Sequence, residues 1–169
     1  CTPWQDINCS AGFFLLNGTN TTDRSCEKCP DGQFQSQYEY VGESCTPHSV
    51  SSCGRGEYFV EGNTTSDSDC KDCPAGQFQN QLSFTGPACS DLTVTECGQG
   101  QWLRSGTTSR DGVCRDCAPG RFQPMTSHTE SQCYDHNYTY CGAGAVLVDG
   151  SVTADNYCAE CPAGQFSNA

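Results

Sequence analysis

Basic residues are few. Eight Lys and Arg stand against 20 Asp and Glu, a net charge of −12. A nucleic-acid partner is excluded on that balance, because phosphate contacts need clustered Lys and Arg. An anionic membrane surface is a poor partner for the same reason. Long apolar runs are also missing. No stretch approaches the roughly 20 residues that cross a bilayer, so no direct membrane insertion is expected of this segment. The given residues start at Cys1 and include no secretory leader, and the sequence is read as a window from a longer mature protein. Histidines number three, and no Gly-x-Ser-x-Gly, paired-carboxylate or phosphate-loop signature accompanies them, so no catalytic residue is assigned and the chain is read as a non-enzyme. The three, His48, His128 and His136, are read as unaligned surface residues.

Apolar mass is scarce. Only 35% of the 169 residues are hydrophobic, and 16 residues are the cysteines themselves. One core for the whole chain could not be filled from this supply. The expected solution is a set of small units stapled covalently. Disulfides persist in oxidising compartments, so an extracellular location is expected, secreted or at the cell surface.

What is present is order along the chain. The cysteines fall at 1, 9, 26, 29, then 45, 53, 70, 73, then 89, 97, 114, 117, then 133, 141, 158, 161, each set displaced by 44 residues. The pattern C-x7-C-x16-C-x2-C-x15 repeats without insertion or deletion. Four repeats follow: 1–44, 45–88, 89–132 and a truncated 133–169. The expected fold is small and disulfide-rich, an elongated tandem array of short β-strands and loops with little helix. Extended stretches such as 56–60 and 76–79, bounded by Gly and Pro, read as small strands in hairpin-like pairs.

Other residues keep the period. Gly12, Gly56, Gly100 and Gly144 align, as do Gly18, Gly62, Gly106 and Gly150, which suggests a positive φ or a close approach. Asp23, Asp67, Asp111 and Asp155 each precede the third cysteine by three residues, where the side chain can bond the backbone two residues on. A metal-ligand role for them lacks a recurring second carboxylate, and no dense acidic calcium loop is present. Phe34, Phe78, Phe122 and Phe166 recur in a Cys-Pro-x-Gly-x-Phe-like phrase. Phe14, Tyr58, Trp102 and Val146 recur beside Leu15, Phe59, Leu103 and Leu147. These apolar positions read as packing on disulfides or neighbouring repeats, a miniature core per unit, with an exposed carbohydrate-binding ladder as the alternative. Cys-x-x-Cys also occurs in zinc sites, but here each close pair is followed by cysteines seven residues apart, and secretion favours oxidation, so no metal and no cofactor are assigned.

Asn63-Thr-Thr-Ser-Asp-Ser-Asp-Cys-Lys-Asp-Cys-Pro-Ala-Gly-Gln-Phe and the segment from Thr107 to Cys117 resemble the cysteine-rich repeat of the tumour-necrosis-factor receptor family. The ephrin-receptor-like cysteine-rich modules share the Cys-Pro-x-Gly-x-aromatic phrase. The receptor repeat carries six cysteines where this chain has four, and the middle bridge is missing, with His48 near the place of one of its cysteines. Four cysteines per unit allow three pairings. The resemblance implies Cys9–Cys26, Cys29–Cys45, Cys53–Cys70, Cys73–Cys89, Cys97–Cys114, Cys117–Cys133 and Cys141–Cys158. Cys1 and Cys161 would then bridge outside this window, to continuing repeats or another chain. Pairing Cys1–Cys9 with Cys26–Cys29 is the competing scheme, closed within each repeat.

Four clean sequons predict N-linked glycans at Asn17, Asn20, Asn63 and Asn137, while Asn8-Cys-Ser fits only formally because its cysteine is expected in a bridge. The first three lie in the same recurring Thr-rich turn, Asn17 and Asn20 in repeat one and Asn63 in repeat two. Two functions fit. One is a structural glycoprotein, a rod, stalk or fibril segment that self-associates. The other, implied by the resemblance, is a receptor ectodomain binding a protein ligand along its side. In that case repeat three is the expected contact surface, with Trp102, Arg104, Arg110, Arg115 and Arg121.

Overall fold

The structure is a computed structural model that describes residues 1–168. Among the described residues there is no helix, and none therefore that is long and apolar enough to cross a membrane. The chain divides into two compact units, 1–90 and 91–169.

The first unit holds β1 (Phe13–Leu16), β2 (Ser25–Lys28), β3 (Gln33–Phe34), β4 (Thr46–Pro47), β5 (Glu57–Val60), β6 (Asp69–Asp72) and β7 (Gln77–Phe78). After β8 (Ser90–Asp91), the second unit holds β9 (Gln101–Arg104), β10 (Val113–Asp116), β11 (Arg121–Phe122), β12 (Tyr134–Asp135), β13 (Ala145–Val148) and β14 (Tyr157–Glu160). Each repeat builds one four-residue antiparallel hairpin: β1–β2, β5–β6, β9–β10 and β13–β14. Two-residue pairs β3–β4 and β11–β12 follow the hairpins they succeed.

Glycine opens each hairpin. Gly56 has φ +85°, its N–H donates to Gln79 O at 2.9 Å, and its carbonyl accepts from Cys73 N–H at 2.7 Å. A side chain is strained in that left-handed conformation. The second glycine series meets a close approach instead: a Cβ on Gly62 would collide with the ring of His48.

Seven disulfides close the loops: Cys9–Cys26, Cys29–Cys45, Cys53–Cys70, Cys73–Cys89, Cys97–Cys114, Cys117–Cys133 and Cys141–Cys158. Their Cα–Cα distances of 5.6 to 5.8 Å lie within the ordinary range. Cys1 and Cys161 are unpaired in the chain. The apolar core consists of cysteines with Leu15 and Leu103. Of the recurring apolar pairs, the second member is buried in two repeats and half-buried in the other two, as Phe59 and Leu147. Leu15 and Leu103 are buried, whereas Phe14, Tyr58 and Trp102 are half-buried and Val146 is exposed.

Candidate functional site

In an antiparallel pair, directly opposed residues share a face, and neighbours along a strand alternate. The hairpin register therefore sorts each repeat into two faces. In β9–β10, Leu103 lies opposite Cys114 and Gln101 opposite Asp116. This is the inner face, carrying the disulfide and buried Leu103, with Gln101 Nε2 donating to Asp116 Oδ1 at 3.0 Å. Trp102 opposite Arg115 and Arg104 opposite Val113 make the outer face.

The four outer faces differ in chemistry. The first has Phe14, Leu16, Ser25 and Glu27. The second has Tyr58, Val60, Asp69 and Lys71. The fourth has Val146, Val148, Tyr157 and Ala159. Only the third unites an indole with two guanidinium groups and no carboxylate. Against a chain charge of −12, a face of two positive charges and a tryptophan is a local inversion. Arg115 is exposed, while Trp102 and Arg104 are half-buried.

Beside this face is an open cavity of about 350 Å³, lined by Trp102, Asp116, Ala118, Arg121, Ser131 and Gln132. Arg121 Nε donates to Asp135 Oδ1 at 2.7 Å across β11–β12. The structure thus brings Trp102, Arg104 and Arg115 onto one face and places Arg121 beside Trp102. Arg110 is elsewhere: it closes the turn with Thr107, accepting from Thr107 N–H at 2.9 Å.

A second recurring cluster ties each hairpin to the loop before it, and it corrects two expectations. The recurring aspartates do not bond two residues on. Each accepts from the next N–H and from a backbone N–H 18 residues earlier. Asp23 takes that long-range bond from Gln5 at 3.0 Å, Asp67 from Ser49 at 2.8 Å, Asp111 from Thr93 at 2.9 Å and Asp155 from Asn137 at 3.1 Å. Both are charge-assisted bonds to a carboxylate, the stronger kind, and the long-range one ties the loop to the hairpin. Side chains add a second bond: Ser49 Oγ donates to Asp67 Oδ2 at 2.6 Å, Thr93 Oγ1 donates to Asp111 Oδ2, and Asn137 Nδ2 donates to Asp155 Oδ2.

These bonds hold Asp67, Asp111 and Asp155 below the ordinary aspartate range. For Asp67 and Asp111 the leading cause is the side-chain hydroxyl of Ser49 or Thr93. For Asp155 burial is the largest single effect and pushes upward, but the bonds from Asn137, His136 and Asn156 together outweigh it.

The histidines are not unaligned surface residues. His48 and His136 stand two periods apart at one repeat position, which Trp4 and Leu92 complete. His48 Nδ1 lies 3.4 Å from Asp67 and His136 Nδ1 lies 3.1 Å from Asp155. Their rings stack on Phe34 and Phe122 of the preceding repeat, with centroids 5.7 and 5.3 Å apart. His128 is buried, and one ring nitrogen contacts Gly98 O at 3.0 Å. It occupies the position of Tyr40 and Phe84, an aromatic series with no counterpart in the motifs read from sequence.

Three potential ligand residues, Cys53, Glu57 and Cys70, lie together, but a disulfide consumes both sulfurs. Of the four sequon asparagines, Asn63 begins the Thr-rich turn, and Asn17 and Asn20 lie in its counterpart. Asn137 belongs to the aspartate cluster instead.

No family model and no curated protein matches the chain. Among solved structures, it is similar to a chain of the human RANKL/OPG complex, with 23% identity over 92% of this chain and 90% of that one and a TM-score of 0.35. It is likewise similar to a chain of the mouse RANKL–OPG complex, with 23% identity over 76% of this chain and 90% of that one and a TM-score of 0.34.

Proposed function

We propose that this chain is a non-enzymatic, extracellular protein-binding segment, a receptor-like ectodomain whose contact surface is the outer face of β9–β10. The observation that carries this reading is the juxtaposition of Trp102, Arg104, Val113 and Arg115 on one face of an otherwise acidic chain. Trp and Arg are the residue types that dominate binding energy at protein interfaces. The matched partner is a protein surface bearing carboxylates around an apolar anchor. Electrostatic attraction of that kind speeds encounter and weakens with salt. The test is a binding screen of the disulfide-intact chain against a panel of secreted and cell-surface ectodomains. For a bound partner, Trp102→Ala is expected to cost about 2 kcal/mol or more, as for an interface hot spot. Arg115→Glu is expected to slow association, and Tyr58→Ala to change nothing. Unaltered binding by both Trp102→Ala and Arg115→Glu would sink the proposal.

A stalk or fibril role is the second reading. It is supported by backbone bonds from one repeat to the next within each unit, Gln35 N–H to Thr64 O at 3.0 Å and Gln123 N–H to Val152 O at 2.9 Å. Concentration-dependent assembly in sedimentation, unaffected by Trp102→Ala, would favour it over the receptor-like reading.

A further inference from the structure

The four clean sequons are alike in sequence, each Asn-x-Thr, yet the fold treats their side-chain nitrogens differently. That nitrogen is the atom a glycan must join. In the transfer, Nδ2 forms a bond to the anomeric carbon of an oligosaccharide carried on a lipid pyrophosphate. The bond from that carbon to the pyrophosphate oxygen breaks, the lipid pyrophosphate leaves with the electron pair, and Nδ2 gives up one proton.

At Asn63 the other end of the carboxamide is engaged. Oδ1 accepts from Thr65 N–H at 2.8 Å, from Thr65 Oγ1 at 2.7 Å and from Ser66 N–H at 3.1 Å. These bonds fix the amide plane and leave Nδ2 without a partner among the described residues, on an exposed turn. Asn20 is also exposed and makes no side-chain bond among the described residues.

Asn137 is the reverse case. Its Nδ2 donates to Asp155 Oδ2 and its backbone N–H donates to Asp155 Oδ1 at 3.1 Å. The next residue is pinned as well, Tyr138 N–H to Asn156 Oδ1 at 3.0 Å, with Asn156 Nδ2 returning to Tyr138 O. Asn137 thus does the work that Ser49 and Thr93 do in the two preceding repeats. A sugar there would replace one of the two Nδ2 hydrogens and set a ring beside a carboxylate that the fold needs in place. Asn17 is tied in the same sense, with Nδ2 donating to Glu43.

We infer that glycan occupancy divides along this line: Asn20 and Asn63 carry N-linked sugar, while Asn137 is a structural asparagine that stays bare. The inference is independent of the protein-binding reading. Its consequence is that unit 91–169, which holds Trp102 and no other sequon, is free of N-linked sugar.

The test is glycopeptide mapping of the chain secreted from eukaryotic cells, with attachment sites read as Asn-to-Asp conversion after enzymatic release of the sugar. Asn63 is expected to be glycosylated in most molecules and Asn137 in few. Asp155→Ala releases Nδ2, and occupancy at Asn137 should rise several-fold. Asp111→Ala breaks the equivalent cluster in repeat three without touching a sequon and should leave Asn137 bare. If Asp155→Ala is not secreted, the wild-type ratio of Asn63 to Asn137 decides alone. Equal occupancy of the two in the wild type would overturn the inference. So would an equal rise at Asn137 in both variants, since general unfolding would then account for it.

Discussion

An aspartate that collects N–H groups from two parts of the chain does more than a turn residue does. Asp67 joins the loop at Ser49 to the start of β6, and its bonds from the Ser49 hydroxyl, the Ser49 backbone and Ser68 favour the ionised form. Its folded pKa lies below the unfolded value of about 3.9. The unfolded chain therefore takes up the proton first as pH falls. The contribution of the cluster is whole above the unfolded value and is lost as pH drops through the folded one. Asp111 and Asp155 act in the same direction. Denaturant midpoints measured from about pH 6 down to about pH 2 should fall across that window. Asp67→Asn should lower the midpoint at neutral pH and flatten its acid dependence. A variant with the wild-type pH profile would show that the carboxylate bonds are not coupled to folding. The recurrence of these aspartates was legible in the sequence. Their partners were not, because the position 18 residues earlier recurs with the period but carries Gln5, Ser49, Thr93 and Asn137, so no residue type repeats to mark it. Gln123 was illegible for a related reason. It is fully buried, its Oε1 accepting from Met125 N–H at 3.2 Å, yet polar residues in a loop-rich phrase read as surface.

At the scale of the hairpin, the existence of each strand pair could be read from Gly and Cys spacing, but the choice of face could not. Runs such as Phe13-Phe14-Leu15-Leu16 and Tyr58-Phe59-Val60 are apolar throughout, so alternation gives no inside and outside. The opposed cysteine decides it: Leu15 faces Cys26, Phe59 faces Cys70 and Leu103 faces Cys114, and the intervening side chains turn outward. That is why Trp102, which the period groups with core positions, stands on a surface with Arg115. The turn that feeds each hairpin is equally specific. Gly56→Ala should cost about 1–2 kcal/mol, because L-residues are disfavoured in the left-handed region. Gly54→Ala is the control, since a Cβ there meets nothing nearer than Glu57 Oε2 at 3.7 Å. Urea denaturation of the two variants should separate them, and equal stability would mean that the turn relaxes without strain.

Across the whole molecule, covalent bonds take the place of a core. Among the described residues the buried apolar set is cysteine apart from Leu15 and Leu103, so removing the sulfur bridges removes the interior itself. Each bridge spans 16 or 17 residues, and closing a loop of that size contributes about 3 kcal/mol in the chain-entropy account. Those contributions act mainly on the unfolded chain, whose freedom they restrict. Without them, four-residue hairpins and two-residue strand pairs bury too little surface to offset the ordering of loops. Reduction and alkylation should therefore abolish the β-signal in circular dichroism and open both units to protease together. Any binding proposed for the Trp102 face should be lost in the same step, because β9 and β10 are held in register with a bridge at Cys114. A reduced chain that kept its protease resistance would place the stability in hydrogen bonds such as those of Asp67 and Asp155. The disulfides would then follow the fold rather than impose it.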